Sequence, residues 1–315
     1  MITLTGQNAS YRFSENSLLK HKGKFGSVYT GTKTEDNSKV IIKQLDPAGG
    51  KSNAAIMRFM KEAYIRVDHP GIAKTLDFIT KENHYYLVRE YVEGLDYSAI
   101  IKKHAPGKRV RLVFSIICAL KVLQVLDFLH QMNIFHRDIR PSNIMVKFTG
   151  DKKKIDFYKQ PEVKLIDLGL AKIDHQEFTK DDEKVPFALI YSPPEQVLNH
   201  NKLVNASSDI YSLGVTLYQM ITLKTPFQHN NPEILMNLML TQELPKKRII
   251  PEDLFNVLMN ATAKYRFPLP PNRYPQEELE KMLASGQASR YQSAKAMQDD
   301  LENVLSSLNF KKSLL

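Results

Sequence analysis

Apolar and polar residues alternate in the first part of the chain, between residues 11 and 45. Alternation with a period of two is typical of strands with one buried face, and the turn residues between the runs favour short antiparallel strands. Residues 54–67 change to helical spacing, and a further run of strand character covers residues 85–92 and ends at Gly94. The pattern therefore predicts a small strand-rich lobe that contains one helix.

Beyond Gly94 the apolar residues recur with helical spacing. The predicted helices cover residues 112–130, 208–223, 232–240, 253–264 and 293–308. Three segments lack this spacing: 150–163 is rich in Lys, 174–184 is acidic, and 267–289 is rich in Pro, Gln and Glu. We expect each of the three to form an exposed loop or an appended element. The length of 315 residues suits two lobes that meet near residues 90–94.

Composition excludes several classes of protein. Hydrophobic residues make up 43% and charged residues 25%, so the chain as a whole is neither disordered nor fibrous. The 44 Lys and Arg residues exceed the 34 Asp and Glu residues, and the net charge of +10 favours a phosphate-bearing partner. A single cysteine, Cys118, excludes an intramolecular disulfide framework and a multi-cysteine zinc site, which is typical of a reducing compartment.

The longest apolar stretch, 112–129, is interrupted by Lys121 and Asp127. It predicts a buried helix and no transmembrane segment. The first ten residues lack the basic and apolar regions of a secretory signal. A cytoplasmic location is therefore predicted, and a protein exported into a host cell would have the same features.

The most informative string is His136-Arg137-Asp138-Ile139-Arg140-Pro141-Ser142-Asn143. It matches H-R-D-x-x-x-x-N, in which a carboxylate accepts the proton of an attacking hydroxyl group and an amide five residues later ligates magnesium. Alone, the string could also be a charged turn after a buried helix. Downstream, an apolar strand beginning at Val163 ends in Asp167-Leu168-Gly169, where Asp167 could bridge magnesium to nucleotide phosphates. By itself Asp-x-Gly is a common turn. Because it follows the H-R-D string and an intervening strand, the order along the chain supports the catalytic interpretation of both strings.

Glycines and a lysine upstream fit the same chemistry. Gly23 and Gly26 let backbone N–H groups approach phosphate oxygens, although His21 occupies the place of a first glycine. Lys43, at the end of an apolar strand, would lie over the phosphates if the helix residue Glu62 held it there. Taken singly, Lys43 and Glu62 are more typical of solvated surface charges.

These strings together resemble the eukaryotic-like serine/threonine protein kinases of bacteria, from about residue 11 to residue 308. Further matching strings occupy residues 191–196, 209–214, 225–227 and 290–294. The resemblance implies an α+β, two-lobed protein kinase fold with a small antiparallel-sheet N-lobe and a mainly helical C-lobe. It divides the chain into an N-terminal extension (1–10), a kinase domain (11–310: N-lobe 11–89, hinge 90–95, C-lobe 96–310) and a basic tail (311–315).

The resemblance also implies an activity. The protein would transfer the γ-phosphoryl group of ATP to Ser or Thr hydroxyls of proteins and phosphorylate itself, using Mg²⁺ or Mn²⁺. Its catalytic residues would be Asp138, Arg140, Lys43 and Glu62, and its metal ligands Asn143 and Asp167. The nucleotide would contact Gly23, Gly26, Val28, Ile41, Lys43, Glu90, Val92 and Met145. An ion pair between Arg290 and Glu195 would hold the activation segment.

Several positions depart from the family pattern. Arg140 replaces a lysine and Ala188 a threonine, which weakens the prediction of Ser/Thr over Tyr as acceptor. Arg89 occupies the gatekeeper position, where a buried charge needs a partner; Glu62, Asp167 or a phosphate could serve. Ile41 replaces a small residue and would narrow the adenine pocket. Thr179, in the acidic segment, is a candidate phosphorylation site.

Two other classes of function stay open at this point. The departures favour a nucleotide-binding pseudokinase that acts as an interaction scaffold, whereas the basic charge fits a kinase of small molecules or lipids. The Lys-rich segment 150–163 could dock an acidic partner, although a solvated hairpin tip is the simpler interpretation. We expect protein substrates and no nucleic-acid partner, and the sequence leaves the substrates and the oligomeric state open.

Overall fold

The structure is a computed structural model that describes residues 1–23, 26–45, 59–60, 67–149, 154–168 and 189–308, with only the backbone described for residues 20–23. The described residues form two compact units, which meet in sequence between Glu93 and Gly94. The predicted hinge, 90–95, contains this boundary. Each unit has its own sheet, and the second unit holds the longer helices.

The first unit is built on a six-stranded antiparallel sheet with the strand order β1-β2-β3-β4-β6-β5. Its strands are β1 (Ile2–Thr5), β2 (Ser10–Gly23), β3 (Gly26–Lys33), β4 (Lys39–Leu45), β5 (Thr75–Lys81) and β6 (His84–Glu90). Successive side chains of a strand point to opposite faces of the sheet. On β4, Val40 and Ile42 are buried in the core, whereas Ile41 and Lys43 are half-buried on the opposite face. This register decides which residues of β4 can face a ligand.

The first ten residues close one edge of this sheet. Strand β1 pairs with β2, and the loop after it donates backbone N–H groups from Gln7 and Asn8 to the two carboxylate oxygens of Asp77 on β5, at 3.1 and 3.0 Å. The Tyr11 hydroxyl also donates to Asp77, at 3.2 Å, and burial is the main reason that the pKa of Tyr11 is raised. Residues 1–10 were predicted as an extension outside the N-lobe. In the structure they connect the two edge strands of its sheet, β1 and β5.

Within the described residues, the second unit combines a three-stranded sheet with six helices of ten or more residues. The sheet has the order β7 (Gly94–Asp96), β8 (Ile144–Lys147) and β9 (Val163–Leu165). The longer helices are α1 (Lys108–Gln131), α2 (Ala206–Thr222), α3 (Pro232–Thr241), α4 (Glu252–Ala261), α5 (Gln276–Ala288) and α6 (Ala294–Ser307). Short helical segments cover Tyr97–Ala99, Ile100–His104, Pro141–Asn143, Pro194–Val197, Asn201–Leu203 and Pro271–Arg273.

Helix α1 forms the centre of the second unit. Its side chains from Arg111 to Ala119 are buried in an unbroken run, because α2 and α6 pack against it. By length and composition α1 could cross a membrane, so the charges of Lys121 and Asp127 do not by themselves exclude a transmembrane span. However, 72% of its most apolar window is buried inside the protein. A core helix, as the sequence predicts, accounts for this burial.

Helix α2 begins at a reciprocal cap. Asn205 accepts a hydrogen bond from the Ser207 backbone N–H at 2.9 Å, and the Ser208 hydroxyl accepts the Asn205 backbone N–H at 3.2 Å. This capping box satisfies backbone donors that a helix leaves unpaired at its start. It also fixes the first turn of α2, on which the buried carboxylate of Asp209 lies.

The predicted fold class is confirmed: the first unit is an antiparallel sheet and the second is mainly helical. The five helices predicted beyond Gly94 correspond to α1, α2, α3, α4 and α6. Segment 267–289, predicted as a loop or an appended element, contains helix α5. Of the helix predicted over 54–67, Phe59, Met60 and Val67 lie among the described residues; the backbone of Phe59 and Met60 is helical, and that of Val67 is not.

Candidate active site

The loop that contains Asp138 is tied to helix α2. Asp209, which has no exposed surface, accepts the backbone N–H groups of His136 and Arg137 at 2.8 and 2.7 Å, and it contacts the ring Nε2 of His130 at 2.8 Å. Arg137 has a φ of 64°, a left-handed conformation that is costly for a non-glycine residue. Because two consecutive N–H groups point at one buried carboxylate, the turn is held in this conformation.

Asp138 and Asn143 are brought together directly. The Asn143 side-chain amide donates to the Asp138 backbone carbonyl at 2.8 Å and to the Asp138 carboxylate Oδ2 at 2.9 Å. The Pro141–Asn143 turn shortens the chain between them, and Thr216 on α2 donates to the carbonyl of Ile139. The amide thereby fixes the orientation of the Asp138 carboxylate.

Asp167 follows the strand that pairs with the strand after Asn143. Strands β8 and β9 are antiparallel with Ile144 opposite Leu165, and the Ile166 N–H donates to the Asn143 carbonyl at 3.1 Å. Asp167 is the next residue, so the register places Asn143 and Asp167 at one end of the same strand pair. The two residues predicted to ligate the metal therefore lie at neighbouring positions of the paired strands.

The donors at this end of the sheet fit a hard divalent cation. Because the Asn143 amide nitrogen donates twice to Asp138, the group of this side chain that can ligate a metal is its oxygen, which accepts the Ser142 hydroxyl at 3.4 Å. One amide oxygen and one carboxylate are the oxygen ligands that Mg²⁺ prefers, with phosphates and water completing its shell. Among the described residues no cluster of three or more His, Cys, Asp or Glu side chains could hold a metal without such help.

Arg140 and Tyr191 border the Asp138 loop. The Arg140 Nε donates to the Ser142 hydroxyl at 2.6 Å, which fixes the half-buried guanidinium. Burial raises the pKa of Tyr191, and its electrostatic neighbours include both Arg140 and Asp138. The Tyr191 hydroxyl donates to Gln219 on α2 at 2.6 Å. Tyr191 is therefore an uncharged hydrogen-bond donor, and it connects the residues around the Asp138 loop to helix α2.

In the first unit, three predicted nucleotide contacts share one face of the sheet. Val28 on β3 lies directly opposite Lys43 on β4, and Ile41 is two residues before Lys43. All three are half-buried, and their neighbours Tyr29 and Ile42 point into the core. A ligand on this face would meet two aliphatic side chains and one amine.

Gly26 opens strand β3 with a φ of 103°. A Cβ atom there would lie 1.8 Å from the backbone oxygen of Gln44, so no side chain fits. The cross-strand partner of Gly26 is Gly23. Glycine is thus required at position 26, because any side chain there would collide with the backbone of β4.

The remaining nucleotide candidates lie at the end of β6 and on β8. The Glu90 N–H donates to the Lys74 carbonyl at 2.9 Å, its carboxylate accepts the Lys74 N–H, and Val92 is buried. Arg89 is only 3% exposed and lies opposite Ile41, on the face that carries Lys43. Met145 is half-buried on β8, in the second unit.

Several predicted positions lie outside the described residues: Glu62, Gly169, Thr179 and Ala188. Gly23 is described by its backbone alone. The roles assigned to these positions, and the partner of Arg89, therefore stay predictions. In the Lys-rich segment, Phe157 packs edge-on against Phe114 at 4.9 Å, so aromatic packing anchors the described part of that segment to α1.

The predicted ion pair between Arg290 and Glu195 is confirmed. The guanidinium reaches both carboxylate oxygens, at 2.7 and 3.0 Å, and both side chains are almost completely buried. Arg290 also lies over the ring of Tyr211 at 4.9 Å, and Gln287 donates to Glu195 at 3.3 Å. Glu195 thereby joins the segment after residue 189 to helices α2 and α5.

Sequence reasoning missed the roles of Asp209, Tyr191 and Gln287. The signal for Asp209 was a single acidic residue within a strongly apolar helix, which needs a buried partner. Tyr191 gave no such signal, since a tyrosine beside two prolines is common on surfaces. Gln287 lies in a polar segment where its burial depends on contacts 79 to 92 residues away.

Comparison with known proteins matches these features. A family model described as the protein kinase domain covers residues 21–301. The probable serine/threonine-protein kinase PknB of Lactococcus lactis subsp. lactis (strain IL1403) is 28% identical over 256 residues, which are 78% of this chain and 38% of that protein. The tyrosine-protein kinase MasK of Myxococcus xanthus (strain DK1622) is 30% identical over 257 residues, 76% of this chain and 37% of that protein.

A solved structure has the same fold. The kinase domain of Mycobacterium tuberculosis PknI superimposes with a TM-score of 0.62 at 21% identity, covering 96% of this chain and 97% of that domain. The chain spans about two fifths of the length of the curated relatives named above. The family match extends over both units and includes the Asp138 loop, and the chain therefore belongs to the protein kinase family.

Proposed function

We propose that this protein transfers the γ-phosphoryl group of ATP to serine and threonine hydroxyls of other proteins. The observation that carries the proposal is the pairing of Asp138 with Asn143 in a loop that Asp209 holds by two backbone hydrogen bonds. Relatives named serine/threonine-protein kinases support the acceptor class. Use of ATP and a divalent metal is general in the protein kinase family.

In the proposed reaction, the acceptor hydroxyl oxygen forms a bond to the γ-phosphorus as the bond to the β-γ bridging oxygen breaks. The hydroxyl proton passes to the Asp138 carboxylate, and ADP is the leaving group. The Asn143 amide donates to Oδ2 of this carboxylate. The amide holds the carboxylate plane in place, which lowers the cost of orienting the acceptor.

We assign Asn143 and Asp167 to Mg²⁺, with Mn²⁺ as a substitute. When bound, the ion neutralises phosphate charge and orients the γ-phosphoryl group for in-line transfer. Arg140 adds positive charge beside Asp138, and its bond to Ser142 limits the positions that the guanidinium can take. Lys43, paired with Glu62, is assigned to the α- and β-phosphates.

For nucleotide binding we assign Gly23 and Gly26 to the phosphates and Val28 and Ile41 to the adenine ring. The shared face of Val28, Ile41 and Lys43 supports this assignment. The backbones of Glu90 and Val92 are assigned to the adenine edge. Met145 is assigned to the base from the resemblance alone.

Serine and threonine are preferred over tyrosine as the proposed acceptors. Most of the relatives carry serine/threonine names, whereas one at 30% identity is named a tyrosine kinase. Arg140 in place of a lysine is the departure that bears on this choice. The acceptor is therefore best read out directly from the phosphorylated product.

The test uses the purified chain with radiolabelled ATP, Mg²⁺ and myelin basic protein, followed by phosphoamino acid analysis. The expected product is phosphoserine and phosphothreonine on the added protein and on the kinase itself. Label only in phosphotyrosine would contradict the proposed acceptor. No transfer despite retained nucleotide binding would indicate a pseudokinase, and label in phospholipid vesicles alone would indicate a lipid kinase.

A further inference from the structure

Residues 265–287, which include the segment before helix α5, form an excursion of the chain that begins and ends at the same place in the second unit. At its start, the backbone of Tyr265 is so close to Gly286 that a Cβ on the glycine would lie 2.2 Å from the Tyr265 nitrogen. At its end, the Gln287 amide donates to the Leu203 carbonyl at 2.7 Å. Both ends of the excursion are therefore fixed to the body of the unit.

Aromatic contacts fix the part of the excursion before α5. Phe267 is 7% exposed, with its ring centroid 5.4 Å from that of Tyr265 and 6.1 Å from that of Tyr274. The Leu269 N–H donates to the Tyr274 hydroxyl at 2.9 Å. These contacts clamp residues 268–273 from both sides, so the segment is presented as an ordered loop.

The residues between the clamps display a proline-rich surface. Pro268, Leu269 and Pro270 are exposed, and Leu269 keeps 56% of its surface accessible although it is a large apolar residue. Pro270 has φ −54° and ψ 139°, the values of a polyproline II helix. Prolines carry no backbone N–H, so a partner cannot add a strand here and must instead contact proline rings and carbonyl groups.

The sequence of this loop is Pro268-Leu269-Pro270-Pro271-Asn272-Arg273. A polyproline II helix has three residues per turn, so Pro268 and Pro271 would lie on one edge of it. Pro271 is half-buried, and Arg273 is exposed. In that conformation the loop would offer two prolines on one edge, followed by an exposed positive charge.

One local rearrangement separates the loop from a continuous polyproline II helix. Residues Pro271–Arg273 form a single 3-10 turn, held by the bonds from Arg273 N–H to Pro270 and from Tyr274 N–H to Pro271, at 2.9 and 3.2 Å. The proline ring fixes φ of Pro271 near the value that both conformations share. Opening the turn therefore requires rotation about ψ at Pro271 and Asn272 and the exchange of two hydrogen bonds at an exposed site.

We propose that residues 268–273 dock a domain of the SH3 type, whose aromatic-lined groove accepts Pro268 and Pro271 and whose acidic pocket accepts Arg273. Pro-x-x-Pro segments in polyproline II form are the ligands of such grooves, because their conformation costs little entropy to fix. Because Phe267 is buried, domains that recognise an aromatic side chain before the first proline are disfavoured as partners. The proposal does not depend on phosphoryl transfer.

The test begins with the synthetic peptide of residues 266–275 and a panel of purified SH3 domains. The domain that binds the peptide best is then titrated with the whole purified protein by isothermal titration calorimetry. We expect the whole protein to bind with an affinity within about tenfold of that of the peptide, because the cost of opening the turn at residues 271–273 offsets the entropy saved by holding the loop at both ends. A panel without a binder of the peptide, or a selected domain that ignores the whole protein, would overturn the proposal.

Variants locate the contact. Pro268→Ala with Pro271→Ala, and separately Arg273→Glu, should each weaken binding by about tenfold or more, equivalent to about 1.4 kcal/mol. Arg248→Glu makes the same charge change at another exposed arginine, and Pro275→Ala removes a proline outside the motif; both should bind as the unaltered protein does. Kinase activity and thermal unfolding of all variants report on folding. Binding that survives the double proline variant, or that depends on Phe267, would contradict the assigned mode.

Discussion

The Asn143 side-chain amide donates two hydrogen bonds to Asp138, one to its carbonyl at 2.8 Å and one to its carboxylate at 2.9 Å. This contact couples two chemical roles, because the amide that orients the carboxylate leaves its own oxygen for a metal. Neither residue could move without disturbing the other.

Replacing Asp209 by Asn should damage catalysis more than nucleotide binding. The amide nitrogen cannot accept a hydrogen bond, so the N–H of either His136 or Arg137 would face a donor. We expect kcat to fall by about 100-fold through misplacement of Asp138, with KM for ATP little changed. Steady-state kinetics provide the measurement, with Asp253→Asn on the exposed first turn of α4 as the control. An unaltered kcat for Asp209→Asn would show that the loop does not need this anchor.

The buried ion pair of Glu195 and Arg290 should be far more important for stability than an exposed pair in the same unit. Arg290→Met leaves a buried carboxylate without its counter-ion, which costs about 3 to 5 kcal/mol. Lys281 and Glu277 form an exposed pair at 3.5 Å, and Lys281→Ala should change stability by less than about 1 kcal/mol. Urea unfolding followed by circular dichroism compares the two. Equal losses in the two variants would be inconsistent with the burial argument.

Lys264 should make stability depend on pH in the alkaline range. Burial lowers its pKa to about 7, a nearby Arg290 lowers it further and Glu243 opposes the shift. In the unfolded chain the amine stays protonated up to about pH 10. Between these limits the unfolded state binds more protons, so stability rises with pH, and the cost of the buried charge is fully present below about pH 7.

The comparison that isolates this effect is with Lys264→Met. Other groups titrate in both proteins, so their contributions cancel in the difference. Relative to the variant, the unaltered protein should gain about 2 kcal/mol in free energy of unfolding between about pH 7.5 and about pH 9. A difference that stays constant over this range would show that the amine of Lys264 titrates normally.

Gly26 should tolerate no side chain, unlike Gly107. Alanine at 26 would place its Cβ 1.8 Å from the Gln44 oxygen at a φ of 103°, whereas nothing lies within 4 Å of a Cβ at Gly107. Because β3 and β4 must separate to accept the methyl group, we expect Gly26→Ala to lower ATP affinity by about tenfold, equivalent to about 1.4 kcal/mol. Displacement of a fluorescent nucleotide measures this. ATP affinity in Gly107→Ala should match that of the unaltered protein, and equal affinity in both variants would refute the clash.

How much of the molecule could be predicted depended on the range of the interactions. Helices α1 and α2 and the Asp138 loop are encoded by local spacing, so periodicity and motif order sufficed. Strand β1 was missed because only one of its four residues, Leu4, is buried, and because the loop after it is held by Asp77, about 70 residues away. Helix α5 was missed because it buries only Leu283, Gly286 and Gln287. Three buried positions give too weak an apolar period to recognise.

The candidate site shows the same division. Asp138, Asn143 and Asp167 were identified from fixed spacings, and the pairing of β8 with β9 brings them to one end of a sheet. The anchoring role of Asp209 depends on backbone N–H groups more than 70 residues earlier in the chain. Backbone donors leave no trace in the identity of the residues that carry them. Such contacts become visible only once the fold is known.

The most direct test of the central proposal is phosphoryl transfer by Asp138→Asn. The substitution keeps the shape of the side chain and removes the proton acceptor, so the transfer rate to myelin basic protein should fall by about 100- to 10,000-fold while ATP affinity is retained. Asp127→Asn, which alters a carboxylate on the surface of α1, should keep full activity. Transfer by Asp138→Asn at the rate of the unaltered protein would contradict the assignment of this loop as the catalytic centre.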